Sequence, residues 1–252
     1  IVDQKNLGYK TDSLILKKVK RINEKITFIT FDKPITGKVD IYDGVENISW
    51  HAAAIIENNV VRNNRARSFL ITTPRKVVVR NNKLSSQMAT LLMTGDLNLW
   101  NESGPNTDVL IENNLIENSV FGGNGAQAIF FIEPDYVDKK NFEGKYSRNI
   151  TIKNNVIKTF DSSILVAASV DGLVFENNQI VQTDTYKPIF PNAENVKVRN
   201  CNNVVIKGNT YKKIDGKEVT ISIDEKSTNV TIDKGDVFSV KTLKKNKSTS
   251  KK

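Results

Sequence analysis

One eight-residue template recurs along the chain and narrows the folds open to it. "AIIENNVV" (54–61), "VVVRNNKL" (77–84), "VLIENNLI" (109–116), "ITIKNNVI" (150–157), "LVFENNQI" (173–180) and "VVIKGNTY" (204–211) share the form apolar-x-apolar-x-N-N-x-apolar, the last with Gly for the first Asn. Between successive second positions (Asn59, Asn82, Asn114, Asn155, Asn178, Asn209) the steps are 23, 32, 41, 23 and 31 residues. A base period near 23, with insertions in the longer steps, is that of a solenoid. Each repeat makes one coil of short strands and buries its apolar face only by stacking on the next coil. Strand alternation sends Val77 and Val79, or Ile150 and Ile152, inward. Asn suits the corner that follows, because it tolerates the left-handed conformation and its amide bonds to backbone. Stacked Asn side chains also form a hydrogen-bonded ladder. Leucine-rich repeats would need regular Leu spacing and a helix per unit; armadillo-type repeats would need long helical patterns. The template predicts an all-β chain, a right-handed parallel β-helix (solenoid) over 45–240.

A second strand follows each corner: "FLITTP" (69–74), "TLLMTGD" (90–96), "IFFIEP" (129–134) and "ILVAAS" (164–169). Counted from the second Asn, Thr73 and Asp96 lie at +14 and Ala168 at +13, with Glu133 at the comparable strand end after an insertion containing Gly122, Gly123 and Gly125. These four are expected to line up across stacked coils as one wall of a groove. Residues 1–44 carry no such corner. "SLILKKVKRI" and "KITFITFDKPI" read as an antiparallel hairpin, the end of a small antiparallel piece packed on the solenoid. "VTISIDEKSTNVTI" (219–232) predicts two further strands.

The net charge of +9 raises nucleic-acid binding, but its location argues against it. The tail 241–252 holds six Lys and no acid, which leaves +3 for residues 1–240. Such a Lys-rich tail is expected to be disordered. No apolar run is long enough to span a membrane. One cysteine, Cys201, permits no internal disulfide, and one histidine, His51, argues against a His-based zinc site or a Ser-His-Asp triad. His51 beside Trp50 reads as a capping or packing residue. The chain begins with Ile1 and shows no leader, so it is expected to be processed, trimmed or incomplete.

Chemistry gathers in three segments. "GDLNLWNESG" (95–104) supplies Asp96, Trp100 and Glu102: two carboxyls of the kind glycoside hydrolysis requires, and an indole for a sugar face. A surface turn whose Trp packs on the solenoid flank is the plain alternative. "NNRARSFLITTPR" supplies Arg65, Arg67 and Arg75, guanidinium forks that either hold sugar hydroxyls or pair the carboxylates of the next coil. "FFIEPDY" supplies Glu133, Asp135 and a covering Tyr136, followed by a loop long for a coil corner. No cluster of acidic oxygens suited to calcium is evident, which weighs against a pectate-lyase-like polysaccharide lyase.

"VVRNNRARSFLITTPRKVVVRNNKL" followed by "LLMTGDLNLWNESGPNTDVLIENNLIEN" resembles the bacterial α-1,3-galactosidases of glycoside hydrolase family 110. In those enzymes an R-A-R-G-x-L segment and a G-D-x-x-x-W-x-E-S-G segment sit on successive coils of a parallel β-helix. The likeness runs from about Val45 to Ile180, and Ser68 stands where the family often has Gly. The resemblance implies an inverting exo-hydrolase that removes terminal α-1,3-linked galactose from glycans, with no metal or nucleotide cofactor. It also implies a β-barrel inserted in the β-helix, and a catalytic Asp-Asp pair on coils that precede the barrel. No such pair occurs here. The chain is therefore expected to be a C-terminal portion, partnered by a missing N-terminal part of the same protein. Arg65, Arg67, Thr73, Arg75, Asp96, Trp100, Glu102 and Glu133 would be its substrate-binding wall, with Asp96 and Glu102 the only candidates for catalysis within it. Periplasmic or cell-surface placement in a bacterium follows from the same resemblance, and the coil insertions are candidate contacts of a homo-oligomer. A non-catalytic solenoid that binds glycans or another protein is the competing reading.

Overall fold

The structure, a computed structural model, describes residues 1–97, 99–102, 104–122, 128–137, 142–214, 216, 218–233 and 238–243. An antiparallel hairpin, β1 (Leu16–Arg21) and β2 (Thr27–Phe31), precedes a short 3-10 turn at Ile48–Trp50. Six three-stranded coils then follow. They are β3 (Ala54–Glu57), β4 (Val60–Asn64) and β5 (Phe69–Ile71); β6 (Val77–Arg80), β7 (Lys83–Ser86) and β8 (Leu91–Met93); β9 (Val109–Glu112), β10 (Leu115–Glu117) and β11 (Phe130–Ile132); β12 (Ser147–Lys153), β13 (Val156–Thr159) and β14 (Leu165–Ala168); β15 (Val170–Glu176), β16 (Gln179–Gln182) and β17 (Val196–Arg199); β18 (Asn202–Lys207), β19 (Thr210–Lys212) and β20 (Val219–Asp224). A partial seventh coil adds β21 (Thr228–Ile232) and β22 (Phe238–Leu243). Each strand pairs in parallel with its counterpart one coil away, giving three stacked parallel sheets. That is the predicted parallel β-helix.

The inward positions make one continuous core. Val79, Ile111, Ile150, Ile152, Leu173, Phe175, Val204 and Ile206 are fully buried. Phe130 meets Phe175 edge-on at a centroid distance of 6.3 Å. Burial of each such side chain contributes about 1.5–3 kcal/mol, realised only once a neighbouring coil is in place.

The first corner of each coil divides its two positions between two tasks. The first position takes the left-handed turn: Asn58, Asn81, Asn113, Asn154 and Asn177 have φ between 54° and 60°, and Gly208 has φ 63°. The second position builds the ladder. The side-chain amides of Asn59, Asn82, Asn114, Asn155 and Asn178 each donate to the Oδ1 of the next Asn in the stack, at 2.9–3.1 Å. Their backbone N–H groups donate to the same oxygens at 3.0 Å. Just before this corner, Glu57, Arg80, Glu112, Lys153, Glu176 and Lys207 stand in register with alternating charge. Arg80 pairs with Glu57 at 2.6 Å and Lys207 with Glu176 at 3.3 Å. A slip of one coil residue would turn the whole charged row inward, so the row helps fix register.

The third corner, between the third strand of one coil and the first of the next, is uneven. It is only Ser169 after β14, but runs over 94–108 after β8 and 133–146 after β11. These two long loops carry a second small core: Val2, Leu7, Tyr136 and Tyr146, with Leu97 and Phe142 packed against them. This core fastens the N-terminal segment to the side of the solenoid. Val2 pairs with Gly44, and Lys10 gathers Asp3, Asp40 and Asp43 at 3.2, 2.9 and 2.8 Å. Asn200 pins the 133–146 loop by donating to the carbonyls of Phe142 and Gly144 and to Ser169 Oγ.

Two expectations need correction. The solenoid runs past residue 240: Lys241, Thr242 and Leu243 pair with Ser222, Ile223 and Asp224, so the start of the Lys-rich tail is strand. Backbone pairing with β20 outweighs the tail's composition there. The rest of the tail, 244–252, and the insertion 123–127 lie outside the described residues. The predicted groove row also differs in register. Ile71, Met93, Ile132 and Ala167 are level, so Thr72, Thr94, Glu133 and Ala168 form the next rung, whereas Asp96 bridges Asp135. Counting from the Asn corner cannot see the extra residue that a bulge puts into β4 between Val61 and Asn64, nor the longer second corners of the later coils.

Candidate functional site

The segment 95–104 is first a loop-building device. Asp96 is buried, and its carboxylate accepts the backbone N–H groups of Leu99 (3.1 Å) and Trp100 (2.8 Å). Its own N–H donates to the Glu102 carbonyl at 2.5 Å. This folds the loop into a tight arch that leaves Trp100 72% exposed. The two glycines have steric reasons. A β-carbon on Gly95 would collide with the Tyr146 hydroxyl, and Gly104, at φ 112°, lies where a β-carbon would come within 2.7 Å of the Thr72 carbonyl. Tyr146 is thus seated against Gly95, with a backbone hydrogen bond at Gly104. Burial, helped by the charge of Glu46 and the neighbouring Tyr9, pushes its phenol well above the ordinary range.

Glu46 lies at the heart of a polar group that the motifs did not announce. Its carboxylate accepts the Tyr9 hydroxyl at 2.7 Å and meets His51 Nε2 at 2.8 Å. The Glu46 and His51 side chains are only 6% and 11% exposed. Burial and the bond to Glu46 also raise the Tyr9 phenol, which stays protonated and donates to the carboxylate. Beside this group a cleft of about 550 Å³ opens between the N-terminal segment and the third corner of the first coil, lined among others by Tyr9, Phe31, Glu46, His51 and Arg75. Its size falls within the ~300–1,000 Å³ of small-molecule sites.

The sequence-predicted residues divide among three places. Arg75 lines the cleft. Thr73 turns the same corner, its hydroxyl donating to the Ala52 carbonyl at 2.9 Å and accepting the Arg75 N–H at 3.2 Å. Asp96, Trp100 and Glu102 form the adjoining loop of the second coil. Glu133, on the third coil, is paired with Arg199 at 2.7 Å. Arg65 and Arg67 lie at the second corner, on the far side of β5 from Arg75, so the structure does not gather the three arginines. His51, read as a packing residue, does anchor Glu46, but at the edge of the cleft. Tyr9, Glu46, Tyr146 and Arg199 went unnoticed because no period or short motif links them. Tyr9 and Glu46 are 37 residues apart and meet only when the N-terminal segment folds back. Among the described residues no group of three or more His, Cys, Asp or Glu is arranged to hold a metal ion.

Comparison with known proteins adds two findings. Residues 42–190 match the family model described as the right-handed β-helix region. The chain is 38% identical over 186 residues to α-1,3-galactosidase B of Phocaeicola vulgatus, a match covering 71% of this chain and 31% of that protein. It is 34% identical over 204 residues to α-1,3-galactosidase A of Bacteroides fragilis, covering 79% and 33%. A match to α-1,3-galactosidase B of Bacteroides thetaiotaomicron, 32% identical over 231 residues, covers 90% and 37%. The chain thus spans about a third of the length of these relatives.

Proposed function

The chain belongs to the right-handed β-helix family, and on that footing we propose that it is the C-terminal portion of a glycoside hydrolase that removes terminal α-1,3-linked galactose from glycans. The carrying observation is that the likeness to α-1,3-galactosidases covers the coils whose third corners are elaborated. At those corners Arg75 lines an open cleft, and Asp96, Trp100 and Glu102 form the loop of the adjacent coil. Arg75 supplies a fork of donors for hydroxyls, and the exposed Trp100 indole supplies a flat face for sugar C–H groups.

Asp96 acts here by shaping the arch that presents Trp100, since its carboxylate accepts the backbone N–H groups of Leu99 and Trp100 in that loop. The acid and base of an inverting displacement would then come from an N-terminal part of the same protein, with this chain binding and orienting the sugar. A periplasmic or cell-surface position and homo-oligomerisation belong to the same proposal.

The test is galactose release from an α-1,3-linked galactobiose by the full-length protein. Asp96→Ala and Glu102→Ala are each expected to lower kcat/KM at least tenfold with the fold retained. Unchanged release in both variants would refute the reading.

A further inference from the structure

The outer face of the sheet built from the first strand of each coil carries two rows of side chains outside the core. Ile55, Val78, Leu110, Thr151, Val174 and Val205 stand level across β3, β6, β9, β12, β15 and β18. Strand alternation turns them outward, while the residues on either side of each join the core or pack against it. The stripe is apolar apart from the Thr151 hydroxyl, and Ile55 at its end is 66% exposed. Two residues further along each strand runs the charged row Glu57, Arg80, Glu112, Lys153, Glu176 and Lys207. Its signs alternate over an even number of coils, so the row read backwards is its own complement.

That symmetry selects an occupant for the face. A second copy turned about a two-fold axis parallel to the strands, between the third and fourth coils, lays stripe on stripe and reverses the order of coils. Glu57 and Arg80 then face the partner's Lys207 and the partner's Glu176, and Glu112 and Lys153 face the partner's Lys153 and the partner's Glu112. Each ion pair within a chain, such as Lys153 with Glu112 at 3.6 Å, closes into a cluster of four charges. The same rotation sets the exposed Ile55 on the partner's Val205. Asp233 continues the alternation beyond Lys207 and overhangs the partner's first coil. A two-fold axis along the row would instead oppose each charge to its own kind, which disfavours that arrangement. Six coils about 4.8 Å apart make a face about 25 Å long. A pair of such faces lies at the small end of specific interfaces, about 1,200 Å² in all.

We propose that this sheet face is a self-association surface, on which two copies of the chain pair face to face with their solenoids antiparallel. The apolar stripe is the centre of the contact. The charged row is its rim and selects the orientation, as rim charges do more than they add affinity. The assignment is independent of the glycosidase reading.

The experiment is sedimentation velocity of the full-length protein from about 1 to 100 µM, a range suited to a small interface. The wild type is expected to dimerise. Arg80→Glu and Glu176→Arg each oppose like charges twice per dimer, and each should weaken self-association at least tenfold. Mixed one to one, the two variants meet every reversed charge with its opposite, and the mixture should recover the wild-type affinity within threefold. Recovery on mixing also excludes misfolding as the cause of the loss. Register is read by cross-linking Ile55→Cys/Val205→Cys with a bismaleimide of about 10 Å span, the spacing of packed sheets. The two positions are five coils apart in one chain and opposite each other in the dimer, so the double variant should give a covalent dimer. A monomeric wild type, as when the N-terminal part of the same protein covers the face, would overturn the assignment. So would a dimer indifferent to both charge reversals, a loss that mixing does not restore, or a charge-dependent dimer that the double cysteine variant fails to cross-link.

Discussion

The first and third corners of the same coils are built on opposite principles. At the first corner every coil repeats one solution: a left-handed residue followed by an Asn that bonds to its counterpart in the stack. At the third corner no two neighbouring coils agree, and the loops after β8 and β11 are fastened by contacts with the distant N-terminal segment. Regularity at the first corner serves stacking, and irregularity at the third leaves room for the proposed site. On the proposed reading, function in this solenoid is grafted onto the corner the scaffold leaves free.

The contrast can be broken most severely in the ladder. Asn155 is fully buried. Its amide donates to Ile111 O, Lys153 O and Asn178 Oδ1, while its Oδ1 accepts from Asn114. Asn155→Ala strands several buried groups at once, so a loss of about 3–4 kcal/mol is expected in chemical denaturation. A loss below ~1 kcal/mol would mean the ladder is ornamental. Gly95→Ala comes next. The added methyl group collides with the buried Tyr146 hydroxyl, and a cost of about 1–3 kcal/mol is expected, with weaker protection of the 94–108 loop in hydrogen exchange.

Asp96→Ala removes the acceptor of two backbone N–H groups, at about 1–2 kcal/mol by analogy with a lost cap. Its signature is local: acrylamide quenching of Trp100 should rise while the global midpoint moves little. Acid acts on the N-terminal segment through Lys10 and its carboxylates, and on the coils through Glu117 of β10, which Lys83 and Lys158 also hold low. The Lys10 ammonium, with Lys38, holds the Asp40 carboxyl down to about 2 from 3.8, and Lys10 also lowers Asp43. A depressed carboxyl stabilises the folded segment above its unfolded value and loses that effect as pH falls toward the folded one. Pepsin cleavage within 1–44 should therefore increase between pH 3.8 and about 2, before the coils yield. The smallest effect is expected on the charged row: Glu57→Gln should leave the denaturation midpoint unchanged, because that pair is well exposed to solvent.

How far the sequence could be read follows from the same contrast. The strands, the inward Val and Ile positions and the Asn ladder were legible because local pattern and global stacking demand the same residues. Residues 241–243 escaped because a Lys-rich composition conceals a strand that only β20 completes. The site was half legible. Arg75, Asp96 and Trp100 sit in short motifs, and the structure places them at adjoining corners. Glu46, Tyr9 and Tyr146 do not, since their meeting depends on the N-terminal segment folding against two loops far along the chain. The motif glycines became intelligible only with Tyr146 in place between them.

The central claim is that the third corner serves the sugar and the first corner serves the stack. Two arginines, five residues apart and on opposite ends of β6, put it to the test. In the full-length protein, kcat/KM for galactose release from an α-1,3-linked galactobiose should fall at least a hundredfold in Arg75→Ala and less than twofold in Arg80→Ala. Equal losses in the two variants, or a greater loss in Arg80→Ala, would contradict it.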